Sequence, residues 1–482
     1  MKVVPRHKFV LSSIRSSLIM GLVLVSFGTS GLTVGQAIAA DESCSLKSPK
    51  PDGVPIQVAA KLEVGGQLKL AAGASTTSLS DDNKIQSVPM SVVAQFAYDE
   101  QRLDDGSSQT HRLAIRRYDD AQAVIKIASK ITKPQLRDNR KLIAAVANEH
   151  TAFLSAPAGP LTRDELELID VPANTLILDE LLPQAEVEVG HRWKPSDDVL
   201  ARFLCLDAVG HTEVECVLAG VKDGVAEITF EGPLGGAIDG VATDIELKGK
   251  LLYDMEHQLP KTLLLAIKEQ RGIGHVGTGL DVVAKMKLTV APQPDSKLLT
   301  PDVVQAAKLP DSDVAPPLEY IADDKSFRFV YDRRWHLTRD DPDLAVMRLI
   351  DRGDLLAQCN IAATTIDTQK PLELAEFQTD VQQALGKMFT KFLRAKESST
   401  SSGLRILQSS AEGTAEDLPI QWRYYLVNNE HGRALNIIFT METPLADQFH
   451  DQDLPILESV EFTDSKPATS QAAKPDKQSV SR

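Results

Sequence analysis

VPMSVVAQFAY at positions 88–98 and LDVVAKMKLTV at positions 280–290 decide how the first part of this chain is built. Val88, Met90, Val92, Ala94, Phe96 and Tyr98 recur at every second residue, as do Leu280, Val282, Ala284, Met286, Leu288 and Val290. A period of two sends alternate side chains to opposite faces, so each stretch predicts a strand with one face on a core and one in water. A wet face implies antiparallel pairing, because parallel sheets are covered on both sides. Lys222-Asp223-Gly224 is a turn signal between such strands. One interruption is helical. Thr162-Arg163-Asp164-Glu165 has the capping-box pattern, and Leu166, Leu168, Leu176, Ile177, Leu178, Leu181 and Leu182 follow it, which predicts one or two short helices between Leu161 and Leu182.

Working outward, the chain has 482 residues, 43% hydrophobic and 25% charged, a composition that excludes both a disordered polyelectrolyte and a multi-span membrane protein. Its net charge is −15. Nucleic-acid binding rests on displacing counterions from phosphates with a basic surface, so nucleic acid is not an expected partner. Residues 1–40 carry Lys2, Arg6, Lys8 and Arg15 with no acid, then the apolar run LIMGLVLVSF at 18–27, then Ala37-Ile38-Ala39-Ala40. That order predicts a secretory signal peptide cleaved before Asp41 and a periplasmic or secreted protein. Gly28-Thr29-Ser30-Gly31 ends the apolar run short of the roughly 20 residues a bilayer span needs, so no stable membrane span is expected after cleavage.

An oxidising compartment makes the cysteines informative. Cys44, Cys205, Cys216 and Cys359 contain no Cys-x-x-Cys spacing. If Gly210-His211 is a hairpin turn, Cys205 and Cys216 face each other across two strands, and a disulfide between them is the favoured reading over two buried thiols. The pairing of Cys44 and Cys359 is left open.

The expected domain plan is a lead at 41–53 too poor in apolar residues to fold, a β-rich domain at 54–290, a Pro-rich linker at 291–317 with one short helix near Pro301, an α+β domain at 318–463, and a tail at 464–482. In the second domain the grammar changes. Leu374, Phe377, Val381, Leu385, Met388, Phe389 and Phe392 recur at spacings of three and four, which predicts one long helix with Lys391, Arg394 and Lys396 at its C-terminal end, where cations suit the macrodipole.

Phe327-Arg328-Phe329-Val330-Tyr331-Asp332 leads to Trp335, then a hairpin marked by Arg352-Gly353, the long helix, a meander and Ser459-Val460-Glu461-Phe462. This order of elements over Leu318 to Thr463 resembles the PsbP-like fold. The resemblance implies an antiparallel sheet with flanking helices, found in exported binding and assembly-assisting proteins, and carries over no catalytic or metal-binding residue. The first part, with Leu181-Leu182-Pro183 and Val189-Gly190-His191-Arg192-Trp193, resembles an uncharacterised secreted bacterial β-rich domain. The fold class expected is therefore α+β: a large antiparallel β-rich domain followed by a smaller PsbP-like sheet with flanking helices.

Chemistry is sparse. Gly272-Ile273-Gly274-His275-Val276-Gly277 spells a dinucleotide-binding fingerprint, but a strand follows where the fingerprint needs a helix, so a hairpin loop is expected and no cofactor. The ten histidines show no metal spacing, and the acidic runs lack the alternating ligands of a calcium loop. Trp193, Trp335 and Trp422 sit in apolar-patterned segments and are expected to pack inside. No catalytic residue is legible. The leading expectation is an exported, non-catalytic binding or assembly module whose partner is an unknown envelope protein or apolar ligand. One alternative is a carrier of an apolar ligand such as a lipid, with a large apolar cavity. The other is an extracytoplasmic hydrolase, which needs a Ser or Cys beside a His in a cleft.

Overall fold

A computed structural model describes residues 44–46, 53–71, 85–104, 112–183, 185–310 and 314–463. The expected signal peptide, most of the lead and the tail lie outside the described residues.

The large sheet is built from β1 (Ile56–Ala71), β2 (Ile85–Leu103), β3 (Arg112–Ile127), β4 (Lys130–Thr132), β5 (Leu142–Ala147), β6 (Ala152–Ser155), β7 (Arg192–Trp193), β8 (Ala208–Thr212), β9 (Glu215–Lys222), β10 (Val225–Ile238), β11 (Val241–Asp254), β12 (Leu259–Arg271) and β13 (Gly279–Pro292). Its main path runs β6-β5-β3-β2-β1-β13-β12-β11-β10-β9-β7, with β4 on β3 and β8 on β10. Neighbours pair antiparallel throughout, and Leu62 stands between Ala94 of β2 and Met286 of β13. Alternation does the sorting. Val58, Leu62, Val64, Met90, Val92, Phe96, Leu263, Ile267, Val282 and Leu288 are buried on the inner face. The outer face carries cross-strand ion pairs, among them Lys248–Glu231 at 2.8 Å, Lys250–Glu227 at 2.6 Å and Lys268–Glu246 at 3.0 Å. These exposed pairs add little stability but keep that face wet.

Helices α1 (Arg163–Ile169), α2 (Thr175–Leu178) and α3 (Asp197–Leu204) lie in the segment between β6 and β8. The Thr162–Glu165 capping box is formed, with both reciprocal hydrogen bonds. The Pro-rich stretch carries α4 (Pro301–Ala306) and is packed rather than free, for Leu299 is buried against Ile115 and Ala144. The lead is also tied down in part. Cys44 exchanges two backbone hydrogen bonds with Val187, at 2.8 and 3.0 Å, and Leu46 is buried.

A second sheet has the order β14 (Leu318–Ile321), β15 (Phe327–Tyr331), β23 (Glu461–Phe462), and a third has β16 (Trp335–Asp341), β17 (Leu344–Asp351), β18 (Asp354–Thr365), β22 (Arg433–Glu442), β21 (Leu418–Asn428), β20 (Arg405–Ala415), β19 (Phe389–Ser399). Helix α5 (Leu374–Leu385) and the short α6 (Ala446–Phe449) and α7 (Leu454–Glu458) complete the chain. The described chain divides into two compact units. One runs to Leu318 and adds Asp332–Asp340 and Val346–Cys359; the other holds Glu319–Tyr331, Asp341–Ala345 and the described residues from Asn360 onward. In the second unit Phe377, Val381 and Leu385 of α5 pack on Leu407, Ala411, Trp422 and Leu426. No helix among the described residues is long and apolar enough to cross a membrane, which says nothing of strands.

Two expectations are corrected here. Strand makes up 56% and helix 15% of a structure with three sheets, so the protein is β-rich and not α+β with flanking helices. The expected long helix is also shorter than the spacing predicts. It ends at Leu385, where Gly386 takes φ +52°, and Phe389 to Ser399 is a strand. The three-residue spacing of Phe389, Phe392 and Ala395 comes from β-bulges between Phe389 and Lys391 and between Phe392 and Arg394. Each bulge adds one residue, so inward positions opposite Gly413, Ala411 and Ser409 recur every three residues instead of two. Gly413 permits the first, since a Cβ there would sit 1.8 Å from the Met388 carbonyl oxygen.

The cysteine expectation also falls. None of the four cysteines is in a disulfide. Strands β8 and β9 do not form a hairpin, because both pair with β10, β8 along Leu234–Ala237 and β9 along Val225–Glu231. Cys205 instead caps α3 in the left-handed region at φ +51°, while Cys216 lies on β9 opposite Trp193 and Phe230.

Candidate functional site

The inner face of the large sheet is covered by the chain from Leu161 to Leu206, and the candidate site lies under and beside this cover. Local sequence makes the cover helical. Thr162, Asn174 and Ser196 cap α1, α2 and α3 through side-chain oxygens, and Leu166, Leu168, Ile169, Leu176, Ile177, Leu200, Phe203 and Leu204 turn inward. Phe203 meets Phe230 of β10 edge-on, with ring centroids 6.0 Å apart. Between α1 and α2, Ala173 adopts φ +69° and its amide donates to the Phe203 carbonyl, so the loop Asp170–Asn174 is held in one shape.

A buried polar network fixes the cover to β2 and β3. Arg116 Nε donates to Glu100 Oε2 at 2.7 Å, and its Nη2 donates to Asn174 Oδ1 at 2.6 Å and Thr175 Oγ1 at 2.8 Å. The Thr175 hydroxyl donates to the same Glu100 carboxylate. Arg102 pairs with Asp179 and donates to the Thr175 carbonyl at 3.2 Å, while Arg112 donates to the Leu176 carbonyl at 2.7 Å. Arg202 of α3 holds Glu180 with two hydrogen bonds, at 2.7 and 2.6 Å. Burial works against the Arg116 charge, but Tyr98 and Glu100 outweigh it and hold its pKa above the usual value. Tyr98 is pushed up to about 12 by burial, so it stays a neutral phenol under the guanidinium, which lies 5.3 Å from its ring.

Three voids meet at the loop Asp170–Asn174. A cavity of about 20 Å³ lies among Phe96, Tyr98, Arg116, Tyr118 and the loop, room for one water. An apolar slot of about 50 Å³ runs under Val171, Pro172 and Leu204, with Leu62, Val64, Val92, Ile245, Ile267, Val282 and Ala284 from five adjacent strands as its wall. A cleft of about 790 Å³, lined in part by Arg163, Arg202, Asp207, Asp239, Arg333 and Arg352, lies on the other side. Glu167 and Asp170 line both the slot and the cleft. The large apolar cavity expected of a carrier is therefore not open here: the mainly apolar void is small, and the large void mixes charged side chains with apolar ones such as Leu166, Leu206 and Ile238.

Two of the cleft's guanidiniums are held in place by main-chain carbonyls. Arg163 donates to the carbonyls of Arg333 and Trp335, the latter at 2.8 Å. Arg333 donates to the carbonyls of Pro316 at 2.6 Å and Leu154 at 2.7 Å. Burial brings the Arg333 guanidinium down to about 10, with Asp170 opposing and Arg163 assisting, so it remains a cation at neutral pH. His336 Nε2 lies 3.6 Å from Asp239 Oδ1, yet burial first and Arg163 second push it down to about 3. A carboxylate at that distance would favour the imidazolium; the loss of hydration is the larger effect, and His336 is neutral.

Of the two residues singled out by sequence, Cys205 lines the cleft with Sγ 4.0 Å from Asp170 Oδ1, and Cys216 is buried elsewhere, its thiol pushed up to about 12 by burial and Glu215. The structure does not bring them together. The Gly272–Gly277 fingerprint is a loop between β12 and β13, with the Gly274 amide on the Gly277 carbonyl. Trp335 and Trp422 are buried, and Trp193 Nε1 donates to the Leu181 carbonyl at 2.8 Å. Sequence reasoning missed Glu100, Arg102 and Arg116. Their signal was present, for Glu100 and Arg102 continue the every-second-residue series of Val88 to Tyr98, and Arg116 is the register partner of Glu100.

No protein-family model matches this chain, and no curated protein matches it. Among solved structures, a third of the chain is similar to cyanobacterial PsbP (CyanoP) from Synechocystis sp. PCC 6803, at 13% identity over 33% of this chain and 99% of that one, with a TM-score of 0.25. A protein of Bacteroides thetaiotaomicron VPI-5482 is similar at 10% identity and a TM-score of 0.23, over 30% of this chain; the match spans about half of that protein, 48%. OccK5 (OpdH) of Pseudomonas aeruginosa is similar at 9% identity over 80% of this chain and 96% of its own, with a TM-score of 0.12. The PsbP-like resemblance is thus met over a third of the chain and at a low score, and no functional residue is taken from it.

Proposed function

We propose that this protein is an exported, non-catalytic binding module of the bacterial envelope whose ligand is an amphiphile. The apolar part of the ligand lies on the inner face of the large sheet and the polar part in the charged cleft. One observation carries the reading: the apolar slot and the charged cleft share Glu167 and Asp170, so an apolar and a polar binding surface adjoin. Ligand pockets usually enclose about 300 Å³ or more, so a slot of about 50 Å³ is a closed state and the cover has to lift for the ligand to enter. The polar network supports this, because it anchors the cover on the β2–β3 flank, whereas Val171, Pro172 and Leu204 contribute apolar contacts over β11 to β13. The guanidiniums of Arg163 and Arg333, held by main-chain carbonyls beside the slot, suit an anionic head group, being already oriented.

The test is native mass spectrometry of the full-length protein taken from its native envelope without denaturant. An adduct of a few hundred daltons, removed by organic extraction and recovered as an amphiphile, is expected. A bare mass, together with no binding of a fluorescent fatty-acid probe, overturns the reading.

A further inference from the structure

The segment KMFTKFLRAK at 387–396 holds Lys387, Lys391, Arg394 and Lys396 and no acid, in a chain of net charge −15. On a helix these cations would complement the macrodipole; on a strand they have no such role. Among the described residues strand β19 ends its sheet and pairs only with β20, so it is an edge there. All four cations are exposed, and of them Lys391 has Glu412 at 3.5 Å. Met388 is 39% exposed and Leu393 44% exposed beside them, while Phe389 and Phe392 turn inward with ring centroids 4.7 Å apart. Leu393 is exposed because it is the extra residue of the second bulge.

We infer that the β19 edge is the surface on which this protein docks onto an anionic lipid headgroup layer. Large apolar side chains set among cations are the composition of a segment that lies in a membrane interface, with the apolar groups dipping in and the cations on headgroup phosphates. A partner strand is a poorer occupant, since two bulges break the ladder it would extend and edge lysines discourage strand addition. The chain's own residues 464–482 are a poor occupant too, because Lys466, Lys474, Lys477 and Arg482 outnumber Asp464 and Asp476. The inference stands apart from the amphiphile reading, and a bare mass in the native spectrum leaves it intact.

The test is sedimentation of the full-length protein with vesicles of phosphatidylcholine alone or with about one third phosphatidylglycerol. Binding is expected to the anionic vesicles only, and to weaken steeply as salt rises from about 50 to 300 mM. A cation near an anionic surface is worth about fivefold in partition, so the triple variant Lys387→Gln, Arg394→Gln, Lys396→Gln is expected to bind about a hundredfold more weakly with an unchanged melting temperature. Equal binding to both vesicles, no response to salt, or no effect of the triple variant overturns the inference. So does a dimer seen without vesicles and lost in the triple variant, which would assign the edge to a second copy. If the triple variant fails to fold, the salt series on the unaltered protein decides alone.

Discussion

Replacing His336 by Gln is expected to remove about 2 kcal/mol of acid sensitivity from this protein. A free imidazole titrates near 6.5, and the folded protein holds His336 near 3, chiefly through burial and secondarily through Arg163. Between those values the unfolded chain binds a proton that the folded one does not, so stability is fully present above about pH 6.5 and is lost as pH falls toward 3. Each unit costs about 1.4 kcal/mol, so the loss at pH 5 is roughly 2 kcal/mol. The figure is insensitive to the folded value, because pH 5 lies well above it. Asp239, 3.6 Å away, is the group that would oppose this. The assay is urea unfolding of the unaltered protein and His336→Gln at pH 7 and pH 5, comparing the two differences so that other titrating groups cancel. Equal losses refute the reasoning, as would an imidazole midpoint near 6.5 by NMR.

Three further outcomes follow from the cover and its voids. Glu100→Gln leaves the Arg116 guanidinium buried without its carboxylate and should cost about 3–5 kcal/mol in urea unfolding, much of it recovered by adding Arg116→Met; a loss under 1 kcal/mol would show that the network is not what anchors the cover. Ala284→Leu adds three heavy atoms into the apolar slot, so stability should hold or rise by up to about 1 kcal/mol while amphiphile binding is lost; unchanged binding would place the ligand elsewhere. Alkylation of the denatured, unreduced protein should label all four cysteines, and in the native protein only the half-buried Cys205 should react readily; a Cys205–Cys216 pair that resists labelling until reduced contradicts the fold.

What the sequence made legible is what a period of two can encode. The alternation in β2 and β13, the capping box of α1 and the turn at Asp223-Gly224, with φ +51° and +75°, each state a local rule that the backbone obeys. Strand order is not local. Strand β1 lies beside β13, where the Thr289 hydroxyl reaches the carbonyl of Ala59 across 230 positions of chain. The Cys205–Cys216 reading failed for the same reason: the symmetry of a hairpin about Gly210-His211 is sound arithmetic for one antiparallel pair. Here the two segments instead lie end to end along one edge of β10. At β19 the difficulty is different, because a spacing of three is degenerate. One turn of helix and one bulged strand repeat both bring every third side chain to a single face, so Phe389, Phe392 and Ala395 fit either. The discriminating information lay in Gly386 before the run and in the clustering of Phe, Thr and Phe within it, residues that cost a helix rotamer freedom and pack well on a pleated edge. A charge pattern that had looked like helix capping thereby becomes an exposed basic edge, and Lys391, Arg394 and Lys396 change from a stability argument into an interaction argument once the backbone beneath them is extended.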